Sequence, residues 1–131
     1  MNPLITMVDK LPWEYLHGEE GRNDVIRWKT FCDKDNDVNC GISFGICELP
    51  PGSKLEAHHH EQAEVYLVTE GEGEVLWDDT VLSVSPGALL TIPGNLTHGI
   101  RNQSGNRVSP FWLFGTGRWS DLEYVMDRHE F

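Results

Sequence analysis

The residue types able to do chemistry in this chain gather in two short stretches. His58, His59 and His60 are consecutive, Glu64 and Tyr66 follow closely, and His98 stands apart. Only three histidines lie outside the triplet. Side chains alternate across a strand, so His58 and His60 share one face, with Cα atoms about 6.5 Å apart, and His59 points the other way. A bend over residues 61–63 would fold Glu64 back over the same face, and Tyr66 shares its parity. Two imidazoles and one carboxylate form a donor set that suits a divalent transition metal with open coordination positions. Such an ion can hold a substrate carboxylate or carbonyl, or activate O₂ or water. His98 follows a strand and a Pro93-Gly94 turn, and supplies a fourth ligand from a distant strand. A lone histidine is ordinarily a satisfied polar side chain. It is the combination of His58, His60, Glu64 and His98 that reads as a metal site, leaving His59 for core packing or hydrogen bonding.

These residues need elements to hold them. Short apolar stretches cover 25–32, 41–49, 54–60, 63–70, 74–77, 80–84, 88–92, 97–102 and 108–115. Turn signals separate them: residues 33–39, Pro50-Pro51-Gly52, Gly71-Glu72-Gly73, Asp78-Asp79, Pro86-Gly87, Pro93-Gly94 and Ser104-Gly105-Asn106. Regular short strands with Gly, Pro and Asp punctuation predict an all-β barrel or sandwich. Asp78-Asp79 reads as a tight hairpin turn with both side chains in water. Residues 1–24 read as an irregular arm with one short helix over 12–17, and 25–131 as a single barrel domain. Residues 120–128 have the composition for two helical turns.

Composition narrows the function classes. Ten basic against twenty-one acidic residues give a net charge of −11. That charge repels a phosphate backbone, and no basic cluster offsets it, so nucleic acid is excluded as a partner. No apolar run approaches the ~20 residues of a membrane helix. The N-terminus shows no basic start followed by an apolar stretch, so a cytoplasmic location and no membrane partner are expected. Cys32, Cys40 and Cys47 show no CxxC spacing and read as reduced thiols.

The spacing resembles the two motifs of the cupin family. The first is Gly, five residues, His-x-His, three or four residues, Glu, six residues, Gly; here it is Gly52, His58, His60, Glu64 and Gly71. The second is Gly, five residues, Pro-x-Gly, two residues, His, three residues, Asn; here it is Gly87, Pro93, His98 and Asn102. Asn95 departs from the pattern by standing where the family usually has Gly, and asparagine tolerates the left-handed backbone of a turn. The resemblance implies a double-stranded β-helix, or jelly roll, with one divalent transition metal (Fe, Mn, Ni, Co, Zn or Cu) inside the barrel. It also implies a homodimer.

Four blocks resemble the small single-domain cupin lyases that cleave dimethylsulfoniopropionate into dimethyl sulfide and acrylate. They are residues 25–35, 41–52, 58–73 and 111–124. His59 departs from that group, which tends to carry Tyr there. The resemblance implies a β-elimination on a small carboxylate substrate. A base removes the proton α to the carboxylate and a sulfonium leaves the β carbon. Tyr66 matches the tyrosine these lyases use as base, against the alternative of a packed core tyrosine. Tyr124 matches a second pocket tyrosine, against a surface or dimer contact. Trp28 and Trp112 could offer aromatic faces to a cation, worth ~1–2 kcal/mol when desolvated, or be plain core. Arg27, Lys29 and Arg101 could steady the carboxylate or lie on the outer face. Another metal-dependent cupin enzyme, such as a dioxygenase on a small acid or a sugar-related isomerase, stays open, as does a non-catalytic ligand-binding cupin.

Overall fold

The structure is a computed structural model and describes residues 5–22, 24–32, 41–129 and 131, with the side chain of Trp119 excepted. The expected turn over 33–39 and Cys40 lie outside the described residues. Strand β1 (Glu14–Tyr15) is followed by β2 (Arg27–Cys32), β3 (Ser43–Glu48), β4 (Lys54–His59), β5 (Glu64–Glu70) and β6 (Gly73–Trp77). Then come β7 (Thr80–Val84), β8 (Leu89–Ile92), β9 (His98–Arg101), β10 (Ser109–Phe114) and β11 (Val125–Met126). They form a six-stranded sheet in the order β1-β2-β3-β10-β5-β8 and a five-stranded sheet in the order β11-β4-β9-β6-β7. All the strand pairs are antiparallel. This is the all-β architecture expected from the strand spacing, in the jelly-roll form that the resemblance implies.

The strands form where apolar residues recur at period two. Glu64, Tyr66 and Val68 of β5 face inward, as do Pro110, Trp112 and Phe114 of β10 and Leu90 and Ile92 of β8. Register stacks these into rows across the sheet: Phe114 beside Glu64 beside Ile92, and Trp112 beside Tyr66 beside Leu90. Leu49, Val68, Val75, Ile100 and Val108 complete the core between the sheets. The β6–β7 hairpin turns at exposed Asp78 and Asp79, with Trp77 paired to Thr80 and Asp78 left-handed at φ 55°.

Two close approaches bring the halves of the sequence pattern together. A Cβ on Gly94 would collide with the carbonyl oxygen of Glu61. Beside it Asn95 is left-handed at φ 65°, and its N–H donates to the carbonyl of His60 at 2.7 Å. The turn before His98 is thus pressed directly on the bend after His60.

Three expectations are corrected. Residues 12–17 hold β1 and the start of a 3₁₀ turn at Leu16–Gly18 rather than a helix. Residues 120–128 form the end of a 3₁₀ turn, Trp119–Asp121, and then β11, because pairing with β4 satisfies a backbone that a short helix would leave half-bonded. Cys32 is disulfide-bonded while Cys47 carries a free thiol, so the thiols are not all reduced. No helix among the described residues is long and apolar enough to cross a membrane.

Candidate metal centre

The two sheets deliver their ligands from opposite walls. His58 on β4 pairs directly with His98 on β9. Glu64 opens β5 in the facing sheet, and His60 sits just past β4 in the connection between the sheets. All four residues are buried, at 1–3 % exposure. One ligand atom from each lies within 4.8 Å of the others.

Backbone carbonyls set the orientation of the three imidazoles. His58 Nδ1 donates to the carbonyl of Glu56 at 2.7 Å, His60 Nδ1 to that of Gln62 at 2.9 Å, and His98 Nδ1 to that of Leu96 at 2.8 Å. A carbonyl oxygen can only accept, so each Nδ1 carries a proton and each ring turns its Nε2 toward the cluster. Glu64 Oε2 lies 3.1 Å from His60 Nε2 and 2.9 Å from His98 Nε2. A proton or a cation between nitrogen and carboxylate lets them approach this closely. His58 Nε2 is buried without any partner among the described residues.

Protonation follows the same logic. Burial, and then the neighbouring charge of His98, lower the pKa of His58 to about 4. Its ring is therefore neutral near pH 7 and free to donate a lone pair. Burial alone would raise Glu64, but the contacts with His60 and His98 outweigh it and hold the carboxyl below its ordinary value. An anionic carboxylate, three oriented imidazoles and one orphaned nitrogen make a donor set that fits a divalent transition metal.

A cavity of about 420 Å³ opens from this cluster. Its walls are mostly apolar and include Trp28, Cys47, Leu49, Ile100, Trp112 and Phe114. Tyr66 and Tyr124 both line it. Tyr66 is 3 % exposed, and its ring centroid lies 6.4 Å from that of His98. Burial, and then the charge of Glu64, push its hydroxyl well above 10. Tyr124 is 39 % exposed overall, yet its ring lies 4.9 Å from His58 and 5.3 Å from His60, and burial pushes its hydroxyl up as well. Burial also raises the Cys47 thiol to about 12, which keeps it protonated.

The three candidate carboxylate anchors do not reach the cavity. Arg27 pairs with Glu48 at 2.8 Å and lies over the Trp13 ring. Lys29 donates to the carbonyl of Val8 at 2.8 Å, and Arg101 lies 3.3 Å from Glu74 and over the Phe131 ring. All three point to the outer faces, because their strand parity opposes that of the inward rows. Lys54 and Glu56 line the cavity instead, 3.3 Å apart. Counting by two from His58 could not have found them, because a register shift between Leu55 and His58 sets Lys54 opposite Arg101 and Leu55 opposite Ile100. His59 faces away from the cluster, as alternation requires, and contacts the carboxylate of Asp127.

Fold and donor set together define a class. The cupin domain family matches residues 45–114, more than half of the chain, and the chain belongs to that family. Among its relatives, the dimethylsulfoniopropionate lyase DddW of Ruegeria pomeroyi is 31 % identical over 100 residues, covering 76 % of this chain. The match spans 64 % of that relative, a little under two thirds of its length. Solved structures share the fold at lower identity. A cupin-2 domain from Rhodospirillum rubrum superposes with a TM-score of 0.76 at 15 % identity, over 98 % of this chain and 84 % of that one. The polyketide cyclase RemF of Streptomyces resistomycificus gives 0.73 at 17 %, over 86 % and 79 %.

Proposed function

We propose that this chain is a metal-dependent lyase that cleaves dimethylsulfoniopropionate to dimethyl sulfide and acrylate by β-elimination. The observation that carries the reading is Tyr66: it is buried two residues beyond Glu64, facing the same cavity, in a chain 31 % identical to a curated lyase of this substrate. His58, His60, Glu64 and His98 would hold the metal. A divalent cation there supplies positive charge that steadies a substrate carboxylate and lowers the proton affinity of neighbouring hydroxyls.

The chain's own residues do the rest. Tyr66, as phenolate, takes the proton from the carbon α to the substrate carboxylate. The C–H pair becomes the new Cα–Cβ double bond, the Cβ–S bond breaks, and dimethyl sulfide leaves with the electron pair of that Cβ–S bond. Tyr66 ends as a neutral phenol and acrylate remains. Burial holds the phenol protonated in the metal-free chain, so the base form depends on positive charge in the cluster. Trp28 and Trp112 offer aromatic faces to the departing sulfonium inside an apolar wall that excludes water.

The test is release of dimethyl sulfide into the headspace over metal-loaded protein supplied with dimethylsulfoniopropionate. Tyr66→Phe is expected to lower the rate by at least ~10²-fold, the usual contribution of a positioned base, with metal content unchanged. Full activity in that variant removes Tyr66 from the role. Oxygen uptake by the Fe(II) form without acrylate would point to a dioxygenase instead.

A further inference from the structure

His59 is the one member of the triplet that the metal cluster does not use. Its Nδ1 lies 2.9 and 3.0 Å from the two carboxylate oxygens of Asp127. The hydroxyl of Thr97 donates to the same carboxylate at 2.9 Å. Two donors, one at the end of β4 and one just before β9, therefore close on one acceptor beyond β11. The backbone N–H of Asp127 donates to the carbonyl of Ala57 at 2.9 Å, which completes the attachment.

What this attachment holds is a short strap. β11 has two residues, Val125 opposite His59 and Met126 opposite His58 at the cavity rim, and both are well exposed, Val125 at 49 % and Met126 at 60 %. Burial supplies little to keep such a segment in place. Upstream, Leu122 packs against the core. Tyr124 lies between that contact and Asp127, with its ring against His58 and His60. Thr97 and His59 each neighbour a cluster histidine in sequence, so the clasp and the cluster share the same backbone.

We propose that His59 is a positioning residue: with Thr97 it clasps Asp127, fixes β11 on the barrel, and thereby holds Tyr124 as the outer wall of the metal site. The residue acts through Asp127 and touches neither ligand atoms nor substrate. The inference stands on the geometry of the cluster and does not depend on which substrate is turned over.

Two readouts on zinc-loaded protein test it. Hydrogen exchange reads the Asp127 amide, and the nuclear magnetic resonance shift of the His58 ring protons reads the Tyr124 ring beside it. Loss of a hydrogen bond to a charged group in His59→Ala is expected to speed exchange at Asp127 by about tenfold or more. The His58 ring shift should move to the value found in Tyr124→Leu, with zinc content unchanged. His59→Asn, whose side-chain N–H₂ takes the place of Nδ1–H, should restore both readouts. Thr97→Val removes the second donor and should give a smaller change in the same direction; it decides the matter should His59→Ala not fold. Exchange and ring shift unaltered in the folded variants would overturn the clasp. A protein that releases no dimethyl sulfide would leave both readouts as expected, so the two readings fail separately.

Discussion

The metal cluster and the strap that crosses it are fastened by different means. His58, His60 and His98 are 1–2 % exposed, and each has its Nδ1 fixed on a backbone carbonyl within two residues of itself. The strap exposes Val125 and Met126 and is held by side chains from elsewhere, His59 and Thr97. Local hydrogen bonds orient the first set as soon as the backbone takes its shape. The second set needs two segments distant in sequence, the end of β4 and the turn before β9, to come together first. A ligand cluster must hold three rings to a fraction of an ångström, and contacts within two residues along the chain do this with little room for error. A wall that admits a substrate can be held from outside and opened at smaller cost.

The sharpest way to break this comparison is to remove a ligand. His60→Ala should weaken binding of a divalent metal beyond the ~10–100-fold that follows loss of a mere orienting partner, and elemental analysis after dialysis reads it. Retention of a full equivalent would show that the cluster is not the site.

Acid tests the buried end of the comparison in metal-free protein. The folded pKa of His58 is about 4, below its ordinary 6.5, so the unfolded chain takes up its proton first. The stability His58 contributes is complete above pH ~6.5 and is lost as pH falls toward 4. The loss reaches up to ~3 kcal/mol from this group. Glu64, also held below its ordinary value, acts in the same direction as pH falls through its lowered pKa. Urea unfolding of chelator-treated protein at pH 7 and pH 4.5 measures the sum. A flat response would mean that the ring is not buried as a neutral group.

The smallest effect belongs to the strap. Val125→Ser removes apolar surface that is already half exposed, so the unfolding midpoint should correspond to a change within about 0.5 kcal/mol, with metal content unchanged. A larger loss would show that β11 is held by burial rather than by its clasp.

Alternation made much of this visible in the chain itself. The parity of His58, His60, Glu64 and Tyr66 follows from period two, and the turn residues between strands mark where each must end. Asn95 stood outside the expected pattern, yet its left-handed backbone fills the same turn. The outward course of Arg27, Lys29 and Arg101 was harder to see. A basic residue reads alike on either face until its partner is known, and those partners, Glu48, Val8 and Glu74, come from other segments. The C-terminal stretch misled for a related reason. Its helical composition is a weak local preference, and pairing with β4 overrides it.

Sequence alone determined which near neighbours share a face, because side-chain direction alternates along a strand wherever no bulge intervenes. It thereby fixed the donor types and their grouping. The tertiary structure decided which sheet faces which. It set Glu64 against the histidines, brought Tyr124 over them, and turned His59 from a spare imidazole into a fastening for Asp127. Those contacts join residues far apart in the chain, and their energy exists only once both sheets have closed.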